Sequence, residues 1–231
     1  MIIQGVTLTG TTVVDAYITT SNLAIWIDAN DNASYPGTGR AITDLSGNSR
    51  TQNLGNASQF VTVSGVKCFD CSDTYGISPT TPGPLLPTTG FTYIAWARMI
   101  ASTAGYRTLF RTSPDDHPLL IQAGTNNLGT WDNNGTNFHS AGYDVANLAN
   151  VWTQWVVTGD SSGETFYING RQVGTTTASS AGNNHNVTGN VGRTGASQPF
   201  GYIANMFLYT TKLSLIQIQQ NYGFLRTRFG L

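Results

Sequence analysis

The stretch that decides the fold starts at Trp152-Thr153-Gln154-Trp155-Val156-Val157-Thr158 and continues through Glu164-Thr165-Phe166-Tyr167-Ile168-Asn169-Gly170-Arg171-Gln172-Val173-Gly174. It then passes Val191-Gly192-Arg193 and closes on Phe200-Gly201-Tyr202-Ile203-Ala204-Asn205-Met206-Phe207-Leu208-Tyr209. Each piece alternates apolar with polar residues or is a short apolar run, and Gly, Asn or Ser separates it from the next. That pattern predicts consecutive antiparallel strands of a sandwich. Asn169-Gly170 predicts a two-residue type I′ hairpin, because both residues tolerate positive φ.

Upstream, Phe91-Thr92-Tyr93-Ile94-Ala95-Trp96-Ala97-Arg98 puts Phe91, Tyr93, Ala95 and Ala97 on one face and Ile94 and Trp96 on the other. Both faces are apolar, so this strand belongs at the centre of a sheet. Leu23 to Asp28, Phe60 to Val63, Val66 to Asp70, Tyr106 to Phe110 and Pro118 to Ala123 read as further strands. The prolines and glycines of residues 78–90 predict a fixed surface loop, since proline cannot donate to a sheet ladder. Residues 1–20 are rich in Thr and Val and read as an N-terminal extended arm or edge strand, with the main domain over 21–231. Downstream the period changes. Ile218, Tyr222, Leu225 and Phe229 recur at helical spacing, and Ser214 with Gln217 has the spacing of a capping box. One amphipathic helix over 214–228 is therefore expected to close an all-β body, packed on the sheet or on a neighbouring chain.

Bulk properties narrow the function. Of 231 residues, only 10% are charged and the net charge is −1. Charged residues usually make up about a quarter of a chain, so the surface is polar but nearly neutral. No concentrated basic field is available for nucleic acid, and no run of about 18 apolar residues predicts membrane insertion. The N-terminus lacks the basic and apolar regions of a secretory signal, so synthesis in a cytoplasm is expected. Cys68 and Cys71 have Cys-x-x-Cys spacing without a second pair, and read as small buried side chains, both reduced.

The order of pieces resembles a known family. Trp26, Asp28-Ala29-Asn30, Ser34-Tyr35-Pro36-Gly37-x-Gly39, Asp44-Leu45-Ser46-Gly47-Asn48, the Trp152 to Gly170 block, Gly201-x-Ile203-Ala204 and Leu213-Ser214…Gln217…Gln220-Asn221-Tyr222 together resemble the laminin-G-like jelly-roll domain of the concanavalin A-like lectin/glucanase superfamily. The resemblance spans roughly residues 21–229 and implies a two-sheet antiparallel jelly-roll sandwich, with about six or seven strands per sheet and faces about 10 Å apart. The Ser-Tyr-Pro-Gly and Asp-Leu-Ser-Gly-Asn pieces, with the ending Arg226 to Leu231, are most similar to versions in structural proteins of phages and large viruses. That narrower likeness implies a virion location, with other virion proteins and further copies of the chain as partners.

Glycoside hydrolysis needs two carboxyl groups about 5–5.5 Å apart or somewhat farther, yet Glu164 is the single glutamate and no acidic pair shares a convincing strand face. A serine hydrolase is not expected, because His117, His139 and His185 read as solvated loop residues. Laminin-G-like domains often bind calcium, for which Asp28, Asn30 and Asp31 are the candidate ligands. However, Ala33 and Gly39 stand where a calcium loop of the EF-hand type needs Gly and Glu, and turn residues are the better reading. No cofactor is otherwise expected. Glycan binding has candidates in Trp131, Asp132, Asn134, Phe138, His139 and Tyr143, aromatic faces interleaved with amide and carboxylate side chains. The expectation is a non-enzymatic virion structural or adhesion protein, with host-surface glycans as candidate ligands and no catalytic residues. A soluble lectin module is the alternative, and a glycosidase acting through Glu164 the third reading.

Overall fold

A computed structural model describes residues 5–9, 12–73, 75–80, 89–101, 105–112, 116–132, 137–181 and 198–231. Among them the chain forms seventeen strands and one α-helix, with short 3₁₀ turns. The strands are β1 (Gly5–Thr9), β2 (Thr12–Ala16), β3 (Leu23–Asp28), β4 (Ala41–Ile42), β5 (Gln52–Leu54), β6 (Phe60–Val63), β7 (Val66–Cys71), β8 (Ile77–Pro79), β9 (Gly90–Met99), β10 (Arg107–Phe110), β11 (His117–Ile121), β12 (Asn127–Asp132), β13 (Asn137–Asp144), β14 (Trp152–Asp160), β15 (Gly163–Ile168), β16 (Arg171–Thr176) and β17 (Gly201–Tyr209); the helix is α1 (Leu215–Leu225).

One eight-stranded sheet runs β16-β15-β14-β9-β17-β7-β6, with β3 also on β17. Opposite it lie a four-stranded sheet, β10-β11-β12-β13, and a three-stranded one, β4-β5-β8. The sandwich is thus uneven: one face is a single wide sheet and the other is divided in two. β9 is central as its two apolar faces require, hydrogen-bonded to β14 on one side and β17 on the other. Phe91, Tyr93, Ala95, Ala97 and Met99 join the core between the sheets, where Leu109, Leu119, Ile121 and Leu128 of the facing sheet meet them. The tight turn between β15 and β16 has Asn169 at φ 50° and Gly170 at φ 73°, the paired positive values of a type I′ turn.

The other face of the wide sheet is buried as well. Ile94, Trp96, Val156, Phe207 and Tyr209 form a second core with Ile218, Leu225 and Phe229. Trp96 stacks on Phe229 at 4.1 Å and 5° and on Tyr222 at 5.7 Å. Ser214 caps α1 and forms the expected reciprocal bond pair with Gln217. The α-helix ends at Leu225 and tightens into a 3₁₀ turn, Arg226–Phe229, which carries Phe229 over Trp96.

Within residues 1–20, read as an arm or edge strand, β1 and β2 pair antiparallel with each other and lie against α1. Thr19 N donates to Asn221 Oδ1 at 2.8 Å, and Asn221 Nδ2 donates to Tyr209 Oη at 3.1 Å. The segment after β2 is thereby tied to helix and sheet together. Both cysteines are free and buried, on opposite faces of β7. Burial pushes the Cys68 thiol up to about 12 and raises Cys71 as well. Among the described residues no helix is long and apolar enough to cross a membrane.

Candidate functional site

The six residues expected to bind glycan do not form one group. Trp131 on β12 faces Phe138 on β13 across the strand pair, and strand alternation directs both away from the core that Leu128 enters. His139 pairs with Thr130, one step over, so it lies on the opposite face. Tyr143 packs against the inter-sheet core. Asp132 ends β12 opposite Asn137, on the parity of Thr130. Asn134 lies outside the described residues.

Trp131 instead lines a cleft of ≈ 160 Å³ with Tyr106, His117, Leu120 and Gln198. It lies on the outer face of the four-stranded sheet. Tyr106 meets Trp131 edge-on at 5.9 Å and lies 6.3 Å from Phe138. Gly129 makes room for this aromatic layer. A Cβ there would sit 2.6 Å from Phe138 Cζ and 2.2 Å from His139 O, so a larger residue would push the Phe138 ring off the strand.

His117 corrects the reading of a solvated loop histidine. It is the first residue of β11, paired with Trp131, and only 8% exposed. Its Nδ1 lies 3.0 Å from Thr108 Oγ1, which donates to Gln198 Oε1 at 2.7 Å. Thr108 N also donates to Gln198 O, fixing that residue beside β10. Thr130 Oγ1 donates to His117 O at 3.0 Å. Burial, with the Arg111 charge nearby, lowers the imidazole to about 4, so it is uncharged at neutral pH. Tyr106, His117 and Gln198 were missed in the sequence. Tyr106 immediately precedes β10 and His117 opens β11, in a register that only folding reveals, and Gln198 arrives from far along the chain. His117 had one usable signal, the apolar Pro118 to Ile121 run that follows it.

Glu164 is 1% exposed, inside the core rather than at a surface. Ser180 donates to its Oε1 through both N (2.9 Å) and Oγ (2.6 Å), while Oε2 has no hydrogen-bond partner. Thr130 lies beside it but gives its proton to His117 O. Burial raises the carboxyl to about 7, against the lowering pull of the Ser180 bonds.

The calcium candidates do not converge. Asp28 is 2% exposed and accepts from Arg228 Nη1 at 2.6 and 2.9 Å. Asn30 Nδ2 donates to Lys67 O, and Asp31 Oδ1 accepts from Ala33 N. The carboxylate that would hold a cation already holds a guanidinium, the Asn30 amide is tied to β7, and Asp31 closes a turn. Among the described residues no three His, Cys, Asp or Glu side chains gather as a metal site. Asn205 is fully buried and sits across from Asp28.

The sequence pattern of the laminin G-type family described as the concanavalin A-like lectin/glucanases superfamily matches residues 73–219. The chain belongs to this superfamily. No curated protein matches its sequence. Among solved structures, the concanavalin A-like chain is similar to a sialidase of Trypanosoma rangeli in complex with sialic acid (TM-score 0.62, 14% identity, 93% of this chain and 34% of that one). It is also similar to the binding domain of botulinum neurotoxin DC in complex with rat synaptotagmin II (0.64, 15%, 88% and 51%). A third is botulinum neurotoxin type C, whose cell entry depends on interaction with two ganglioside molecules (0.65, 14%, 88% and 51%). This chain spans about a third of the sialidase and about half of the toxin chains. At such identity the likeness concerns the concanavalin A-like fold.

Proposed function

We propose that this chain is a non-enzymatic adhesion module that binds a glycan in the cleft of Tyr106, His117, Leu120, Trp131 and Gln198. The single observation that carries this reading is the pairing in one cleft of an aromatic wall with two polar side chains held by Thr108. Aromatic faces take the apolar face of a sugar ring, and fixed polar groups take its hydroxyls. The volume is below the about 300–1,000 Å³ of pockets for drug-sized ligands, which suits one ring of a longer chain. Binding is favoured over hydrolysis because no described cleft residue bears a carboxyl group and Glu164 is enclosed in the core. The solved relatives with sialic acid and gangliosides in their descriptions agree with a glycan-directed surface.

A glycan array probed with the purified chain tests this. Selective capture, reduced at least about tenfold by Trp131→Ala, supports the cleft; capture that survives the substitution unchanged removes it.

For its setting, we propose display on a virion, with other virion proteins and further copies as partners. The support is the likeness of the Ser34 to Gly37 and Asp44 to Asn48 pieces to viral versions, the nearly neutral surface, and exposed Leu215, Ile216 and Phe224 on α1 as a contact face. Mass spectrometry of purified particles that failed to find the chain would remove this setting and leave the glycan cleft standing.

A further inference from the structure

The hydrogen-bond chain behind the cleft determines which atoms it can offer a ligand. Thr108 has one hydroxyl proton. Gln198 Oε1 can only accept, so that proton goes to Gln198, at 2.7 Å. The 3.0 Å contact between Thr108 Oγ1 and His117 Nδ1 is then a hydrogen bond only if Nδ1 carries the proton. A neutral imidazole has one N–H, so Nε2 is left as a lone pair. His117 lines the cleft, and Gln198, with its carbonyl oxygen engaged, has two N–H donors on the other end of its amide.

We propose that the cleft is specific for a neutral pyranose with adjacent hydroxyls, one donating to His117 Nε2 and its neighbour accepting from Gln198 Nε2, and that it discriminates against sialylated and sulfated glycans. This rests on the glycan reading of the same cleft and names the ligand class. Thr108 is the positioning residue: it fixes the histidine tautomer and the amide orientation without touching the sugar. A carboxylate or sulfate can only accept, so it cannot satisfy a histidine lone pair, and its charge would be drawn out of water against an uncharged imidazole. Burial keeps His117 neutral, which preserves that selectivity at physiological pH. The ring stacks on Trp131 in this arrangement, with Tyr106 beside it.

The test has a ligand-free and a ligand-bound arm. Long-range ¹⁵N–¹H correlation on the full chain reads the His117 tautomer directly: protonated Nδ1 is expected, and protonated Nε2 overturns the proposal. The binding arm uses an array of neutral glucan, mannan and galactan oligosaccharides beside sialylated and sulfated glycans. Neutral glycans are expected to be preferred, and Gln198→Glu, at a half-exposed position and read in a variant that keeps the natural urea midpoint, is expected to weaken them about tenfold. Sialylated or sulfated glycans captured in preference, with loss in Trp131→Ala, would overturn the specificity and leave the cleft reading intact. Unchanged affinity in Gln198→Glu would also overturn it. Capture of no glycan would remove the cleft reading and this inference with it.

Discussion

Two buried titratable side chains, Glu164 and His117, pull stability in opposite directions with pH. Glu164 has its folded pKa raised from 4.5 to about 7 by burial, with Asp116 adding to the rise. The fold holds a proton there that the unfolded chain has lost, so stability falls as pH rises from about 4.5 to about 7. His117 has its folded pKa lowered from 6.5 to about 4, by burial and by Arg111. The unfolded chain holds that proton, so stability rises with pH between about 4 and 6.5. Over the shared window the two slopes cancel, and the chain should show a plateau near pH 4.5–6.5 with losses on either side. Glu164→Gln removes only the falling limb. The stability of the variant relative to the natural chain should therefore grow by about 2–3 kcal/mol between pH 5 and pH 8, read by urea denaturation at both. Parallel curves for the two proteins would show that Glu164 is ionised in the fold.

At the scale of elements, the C-terminal helix and turn are structural components of the wide sheet. The flat stack of Phe229 on Trp96 closes the second core, and Arg228 reaches Asp28 at the end of β3. Phe229→Ala should cost about 3 kcal/mol, as for large aromatic truncations in cores, with the urea midpoint falling and cooperativity retained. A change below about 0.5 kcal/mol would mean that the turn is undocked in solution. Much at this scale was legible beforehand. The Ser214 to Gln217 spacing located the cap, Asn169-Gly170 located the hairpin, and the two apolar faces of β9 placed it centrally. What could not be read were partners far along the chain. Periodicity reports how many faces of an element are buried, and by what kind of neighbour, but not which neighbour. Hence the Asp28–Arg228 pair, the β9–β17 register and the β1–β2 pair against α1 emerged only in the fold. Asp28 illustrates the cost of local reading: beside Asn30 and Asp31 it looks like a cation ligand, yet its actual partner is 200 residues away.

For the whole molecule, the uneven sandwich separates scaffold from surface. The central strands of the wide sheet, β9, β14 and β17, are buried on both faces, so their side chains are committed to packing. The outer face of the four-stranded sheet is left to carry the cleft. The sequence indicated this region through Trp131 and Phe138 but could not divide them from His139 and Tyr143, because faces in a sheet depend on a register that a bulge between Leu128 and Gly129 shifts. Nor could it bring Gln198 to His117, which requires 90 residues of chain to close between Thr108 and Gln198. The most direct test follows the indole N–H resonances of the five tryptophans during titration with the oligosaccharide best retained on the array. Trp96 and Trp155 are wholly buried and serve as internal references. A saturating shift of the Trp131 indole, with those two unmoved, is the result predicted here; a silent Trp131 while Trp26 or Trp152 shifts would place the glycan elsewhere and contradict the account.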